Sequence, residues 1–401
     1  MPFLQLLSIG RQNLRLSAES RYVRISALAM GRGLRWGCTI GHPMIRIPLD
    51  RRQRSTRLAS GASLLRAGVA GLLLGWAGFL AGAPAPEPPA ACVGRPVRVV
   101  SLCFRPTEPI ERVLPTVARE AQRGADLIVL PETWRGQNER SAESIDGPTV
   151  QALARLAAKH RTYIVTPLDL RRGTNRFNTA VLLDRAGKVA GAYDKVFPYW
   201  AEFDHRQPVE PGRSAPVFET DFGKLGLSIC FDVNFPEVWQ ELDNRGAELV
   251  VWTSAYSAGT HLGAYAALHH FYVVTSTQSG DCQVYDITGE RRLDERGDGI
   301  HVSRVTLDLD RGIYHTNFNE EGKARLLREH AGEVVQEKWL EREQWFVLKA
   351  VRPGLSARAL ARQYGLEELR DYIHRSRRVI DNKRGGKLAS PPAGAISERT
   401  P

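Results

Sequence analysis

Short apolar runs alternate with stretches of helical periodicity through residues 97–309, and three of those runs stop at a reactive side chain. Asp126-Leu127-Ile128-Val129-Leu130 ends at Pro131-Glu132. The run over 188–193 leads through Asp194 to Lys195, and the run over 224–229 enters Cys230 directly. Runs this short, rich in Val, Ile and Leu and bounded by Gly, Pro or charge, predict buried strands. Further strands are predicted over 97–102, 163–167, 178–184, 248–252, 272–277, 282–285 and 302–309. Helices are predicted over 108–123, 149–160, 236–245 and 262–270. Strands and helices that interleave in this way predict an α/β class with a mixed sheet covered by helices. Reactive groups in such folds gather at the carboxyl ends of strands.

The 401-residue chain has a formal net charge of +11, which raises the question of a nucleic-acid or membrane partner. The charge is not spread evenly. Residues 1–66 hold 12 Arg, no Lys and only Glu19 and Asp50 as acids, a net of +10, which leaves +1 for the rest. A near-neutral body gives nucleic acid no electrostatic footprint, and no such partner is expected. Residues 67–83 then use only Ala, Gly, Val, Leu, Trp and Phe, and exit through Ala81-Gly82-Ala83 into a Pro-rich stretch. A positive flank, an apolar run and a small-residue exit describe a secretory signal or an uncleaved anchor. The expectation is an exported (periplasmic or extracellular) or membrane-anchored protein, touching the membrane through 67–83. Met1 and Met44 both stay open as the start, and Arg51-Arg52 adds a faint twin-Arg cue.

The expected organisation has four parts. Residues 1–94 form the basic leader with its signal or anchor and Pro-rich linker, and 95–319 form the α/β body. Residues 320–384 form a helical extension, and the Gly-, Pro- and Ser-rich 385–401 a disordered tail. Within the extension Ser356 is placed to cap a short helix ending at Gly365, with a second helix over 366–378. A DNA-binding helix-turn-helix would look similar, but the neutral body favours a pair of packing helices. The five cysteines contain no CxxC spacing, which argues against a disulfide framework, a zinc site or a redox motif. His261, His269 and His270 lack metal-ligand spacing, so neither metal nor organic cofactor is expected.

Three of the strand ends remain as chemistry. Taken singly, Glu132 reads as a surface carboxylate, Lys195 as a solvated lysine and Cys230 as a buried core cysteine. Together they form a nucleophile with its helpers. A thiol attacks as thiolate and needs a base or a cationic neighbour. Glu132 suits the base, and Lys195 suits the oxyanion that forms on an attacked carbonyl. The backbone N–H of Phe231 is a natural second oxyanion donor.

The contexts of these residues resemble the carbon–nitrogen hydrolase family, also called the nitrilase superfamily. The resemblance is carried by Leu130-Pro131-Glu132 and by Tyr193 two residues before Lys195. It is carried too by the G-x-x-I-C-x-D-x-x-F-P-E pattern of residues 226–237 and by the strand-like 247–254. It implies an αββα sandwich of the carbon–nitrogen hydrolase type, here with a helical C-terminal extension, and a homodimer or higher homo-oligomer. It implies hydrolysis of a non-peptide C–N bond, in a small-molecule amide or N-carbamoyl compound, through a Cys230 thioester with Glu132 and Lys195. A supporting glutamate is also implied between lysine and cysteine. Glu202 and Glu210 both qualify, and Glu202 is preferred because Glu210 adjoins the Pro211-Gly212 turn.

Departures refine the expectation. Asp194 stands where a basic residue is common, and suggests a local ion pair or a substrate contact. Phe231-Asp232 stands where true nitrilases tend to have Trp-Glu, which favours amide or carbamoyl substrates over nitriles. Trp134, Tyr199, Trp200, Asn234 and Tyr256 are candidate pocket residues, with hydrophobic packing as the alternative. N-acyl transfer and nitrile hydrolysis through the same triad remain as alternative activities.

Overall fold

The computed structural model describes residues 92–388. The apolar run 67–83, both start sites and the tail beyond 388 lie outside the described residues. In chain order the body comprises β1 (Pro96–Cys103), α1 (Ile110–Gln122), β2 (Leu127–Val129), α2 (Pro148–His160), β3 (Tyr163–Arg172), β4 (Asn175–Leu183) and β5 (Val189–Asp194). It continues with β6 (Val217–Thr220), β7 (Gly223–Ile229), α3 (Pro236–Asn244), β8 (Leu249–Ser254), α4 (Thr260–His269), β9 (Tyr272–Thr277), β10 (Asp281–Tyr285), β11 (Arg291–Arg296) and β12 (His301–Asp308).

These strands make two six-stranded sheets, ordered β12-β1-β2-β3-β4-β5 and β11-β10-β9-β8-β7-β6. Each has a parallel centre, β1-β2-β3 in one and β7-β8-β9 in the other, flanked by antiparallel strands. Parallel neighbours need a long crossover, and the helices supply it: α1 and α2 in the first sheet, α3 and α4 in the second. Period-two alternation then sorts the side chains. Val97 and Val99 of β1, with Leu127 and Val129 of β2, face the second sheet and pack with Leu225 and Leu227. Val100, Leu102 and Ile128 point the other way, onto Val113, Val117 and Leu153 of α1 and α2. The layers are therefore αββα. Hydrogen bonds also stitch the sheets together: Ser101 Oγ donates to Thr275 O and Ser276 Oγ to Leu102 O, both at 2.6 Å.

The C-terminal extension is not wholly helical, and the expectation is corrected here. β13 (Gly312–His315), α5 (Glu320–Glu329), β14 (Val334–Leu340), β15 (Trp345–Ala350), α6 (Ala357–Gln363) and α7 (Leu369–Arg384) include a three-stranded antiparallel sheet, ordered β13-β15-β14. Both faces of this sheet are used. Val334, Phe346, Leu348 and Ala350 close over Leu326, Leu360 and Leu366, Ile313 and Val347 join the core of the body, and Glu337, Lys338 and Lys349 stay half-exposed. Those charges imitate a helix surface in the sequence. β6 and β11 show no buried run because both are edge strands, β6 half-buried and β11 mostly exposed. The Ser356 cap is present, its Oγ accepting the Ala359 N–H at 3.0 Å. The α6–α7 pair packs on the body: Arg370 donates to Ala247 O (2.7 Å) and His269 O (2.9 Å).

Candidate active site

The three reactive strand ends meet between the sheets, at the end to which the parallel strands point. Glu132 follows β2 and is buried, beside Thr133 in a left-handed backbone (φ 37°). Lys195 follows β5 and is 1% exposed; its backbone N–H donates to Asn178 O at 2.9 Å. Cys230 follows β7, and it too is left-handed, with φ 48°. That conformation costs a non-glycine residue about 1–3 kcal/mol and needs outside support. Asp232 provides it. Its carboxylate accepts the Ile229 N–H (2.9 Å), the Phe197 N–H (2.9 Å) and the Tyr193 hydroxyl (2.6 Å). The Trp252 indole N–H adds a bond to Cys230 O at 3.0 Å. The 230–231 peptide is trans, so the Phe231 N–H points opposite to that carbonyl, away from Trp252.

Charge is concentrated here. The Lys195 ammonium donates to Glu132 Oε1 (2.9 Å) and to Glu202 Oε2 (2.6 Å). Glu202 lies buried in a 3-10 turn, Trp200–Phe203, and also accepts the Tyr199 N–H (2.7 Å) and Gln137 Nε2 (2.6 Å). Glu210 is exposed, and its backbone N–H bonds Arg176 O at 2.7 Å. The fold thus brings Glu202 to the lysine and leaves Glu210 outside. Asn178 Nδ2 reaches both Glu132 Oε1 (2.8 Å) and Glu202 Oε1 (3.1 Å), and the Ala255 N–H holds Glu132 Oε2 at 2.7 Å.

Burial is the largest influence on the Cys230 thiol, and it acts with the nearby Glu132 charge to push the thiol up to about 12. Lys195, Ser254 and the Ala255 N–H pull the other way and only partly offset this. At neutral pH the thiol is therefore protonated, and it needs a base to become a nucleophile. Burial works against the Lys195 ammonium, but the Glu132 and Glu202 carboxylates outweigh it and hold the lysine charged. Burial also lifts Asp232 to about 6, against its hydrogen bonds.

The proposed pocket residues divide. Trp134 is corrected: it is fully buried, edge-on to Phe104 in the core between the first sheet and its helices, with its indole N–H on Thr166 Oγ1 at 3.0 Å. Tyr199, Trp200, Asn234 and Tyr256 are exposed and rim the site. Tyr199 meets Phe231 edge-on, and Tyr256 meets Trp252 in the same way. Asp194 forms an ion pair with Arg172 (2.6 and 2.8 Å). His269 bonds Asp243 and His270 bonds Ile287 O, each at 3.2 Å, on the outer side of the second sheet. Sequence reasoning passed over Asn178, Gln137 and the Ala255 N–H. Asn178 sits inside an ordinary strand pattern, and a backbone N–H leaves no compositional mark.

The Carbon-nitrogen hydrolase family profile matches residues 90–311, and the chain belongs to that family. A fission-yeast (Schizosaccharomyces pombe) hydrolase is 28% identical over 158 residues, which cover 36% of this chain and about half, 49%, of that protein. An omega-amidase of Xenopus tropicalis is 25% identical over 213 residues, covering 50% of this chain and 75% of that protein. A citrullinase of Francisella tularensis is 26% identical over 219 residues, covering 51% and 76%. Among solved structures, an amidase from Nesterenkonia sp. aligns with a TM-score of 0.48 at 21% identity, over 55% of this chain and 93% of that one. The chain is a carbon–nitrogen hydrolase of the nitrilase superfamily.

Proposed function

We propose that this enzyme hydrolyses the C–N bond of a small-molecule amide or N-carbamoyl compound through a thioester on Cys230. The observation that carries the reading is the Lys195 ammonium, held by Glu132 and Glu202 beside a protonated thiol on a strained backbone. Glu132 Oε2, engaged by Ala255 alone among the described residues, takes the thiol proton as Sγ bonds to the substrate carbonyl carbon. The carbonyl oxygen becomes an oxyanion. Lys195 has three N–H groups, two of them committed to carboxylates, and the third serves this oxygen together with the Phe231 N–H. Collapse breaks the C–N bond, and Glu132 passes its proton to the departing amine. Glu132 then takes a proton from water, the hydroxide adds to the thioester, and the C–S bond breaks as the proton returns to sulfur. General acid–base work of this kind is worth roughly 10²–10⁴ in rate.

The relatives named omega-amidase and citrullinase support an amide or ureido substrate. The position after the nucleophile agrees with amide chemistry in one respect: Asp232 is wholly engaged in bracing the turn and offers nothing to substrate. A panel of primary amides, N-carbamoyl amino acids and nitriles, read by ammonia release, tests the class. Turnover is expected with an amide or carbamoyl compound and is expected to vanish in Cys230→Ala. Full turnover in that variant overturns the assignment. Among the described residues no helix is long and apolar enough to cross a membrane. We infer that residues 67–83 carry the export or anchoring signal. Fractionation of the full chain against one beginning at residue 91 tests this, since loss of membrane association or export is expected only in the shorter chain.

A further inference from the structure

We propose that Asn178 is a positioning residue for the catalytic cluster: its one side-chain amide locks two carboxylates, and its main chain anchors the lysine between them. The inference rests on the Glu132–Lys195–Cys230 reading given above. Asn178 lies within β4, paired to Asp169 of β3, and is fully buried. Its two amide hydrogens are used separately, one on Glu132 Oε1 (2.8 Å) and one on Glu202 Oε1 (3.1 Å). Its carbonyl accepts the Lys195 N–H at 2.9 Å. One strand residue therefore touches two carboxylates of the cluster and the main chain of its lysine.

The amide has only one workable orientation. Turned over, its oxygen would face two carboxylate oxygens. In the orientation adopted, Oδ1 is buried without a hydrogen-bond partner among the described residues. An unsatisfied buried acceptor is destabilising, because its lost hydration is not replaced. The fold accepts that cost to aim both donors at the carboxylates.

The benefit follows from what Lys195 must do. An ammonium on a flexible four-carbon stem is a poor ruler by itself. It has to hold Glu132 and Glu202 and still turn its remaining N–H toward a developing oxyanion. The terminal torsion of a glutamate is broad, so Lys195 alone leaves the Glu132 carboxylate free to swing. Asn178 fixes Oε1 from the strand side and the Ala255 N–H fixes Oε2 from the other sheet, so the carboxylate is gripped at both oxygens. Misplacement of a reacting group by about 1 Å costs on the order of 10²-fold in rate.

The test is the acylation burst of the full chain with p-nitrophenyl acetate in excess over enzyme, read as p-nitrophenolate. Asn178→Thr keeps one hydroxyl donor, and Asn178→Leu keeps the volume and none. The expected result is a graded fall in the acylation rate constant, about 10-fold for Thr and about 10²-fold for Leu, with the substrate concentration at half-saturation within about threefold. A merely structural asparagine would lower the amplitude, which counts active sites, and the Tm, and would leave the rate constant of the surviving sites unchanged. A rate constant in Asn178→Leu within twofold of the parent overturns the proposal. Cys230→Ala is run alongside. Release from the parent no faster than from that variant overturns the thiol reading itself, and this inference with it.

Discussion

The sandwich carries dense ion pairing at both of its ends, and the two clusters are built for opposite purposes. At the catalytic end one lysine, 1% exposed, faces Glu132 and Glu202 beside a buried thiol. Anions outnumber the cation, and two backbones, at Thr133 and Cys230, are held in the left-handed region. At the far end Arg358 bonds Glu248 (2.6 Å) and Glu368 (2.7 and 2.8 Å), and Arg95 also reaches Glu248. That cluster borders an open cleft of about 840 Å³, and the Arg358 side chain is 24% exposed. Its anions and cations are matched on relaxed backbone. It clamps α6 and α7 to the start of β8. The comparison teaches that buried charge by itself does not mark an active site. What does so here is imbalance, strain and a titratable nucleophile in one place.

Lys195→Met should separate the two ends most sharply. It leaves Glu132 and Glu202 buried without their cation and removes an oxyanion donor. Turnover should fall by about 10³-fold or more, and stability by roughly 3–5 kcal/mol. Steady-state kinetics with denaturant titration checks both, and retention of either property would contradict the arrangement. Arg358→Met attacks the far end instead. Because that arginine is partly solvated, the expected loss is smaller, on the order of 1–3 kcal/mol, with kcat/KM within about twofold because the site is distant. A large drop in turnover there would mean that the two clusters are coupled.

The ends should also answer pH with opposite sign. Asp169, next to Asn178 in the first sheet, is raised by burial to about 7, with Arg176 opposing. The folded chain thus holds a proton that the unfolded chain has released. This contribution is fully present below about pH 4 and is lost as pH rises through about 7. At the far end burial works against the Glu248 carboxylate, but Arg95 and Arg358 hold it below its ordinary value. Its contribution is present above the usual carboxylate range and is lost as pH falls through that lowered value. Tm followed against pH should show Asp169→Asn flattening the neutral arm and Glu248→Gln flattening the acid arm. The changes should be a few degrees, at about 2–4 °C per kcal/mol for a chain of this size. Curves that respond in the same direction would remove the distinction between the ends.

Much of this site is legible once three separated residues are read together. Glu132, Lys195 and Cys230 each end an apolar run, and a strand end is a local pattern written in consecutive residues. The α/β class follows from the same interleaving, while the αββα layering is what the family resemblance implies. Glu202 and Glu210 are both candidates under the family resemblance, with Glu202 preferred, and the 3-10 turn carries Glu202 back to Lys195. Trp134 looked like a pocket wall because it follows the base closely. The chain turns between them, and the indole is directed into the opposite core layer. The β14–β15 hairpin reads as helix because Glu337, Lys338 and Lys349 interrupt its apolar positions.

What consecutive residues determine in this protein is the alternation of buried and polar positions, and with it the strands, the crossovers and the three reactive ends. That information is local because burial imposes a period of two on strands and 3.6 on helices. What only the tertiary structure decides is which distant groups share those ends. Asn178 from β4 and the Ala255 N–H after β8 converge on Glu132, Glu202 reaches Lys195, and Gln137 from the loop after β2 holds Glu202 in turn. Their contribution is a hydrogen bond across sheets and loops, and it depends on where two six-stranded layers come to rest against each other.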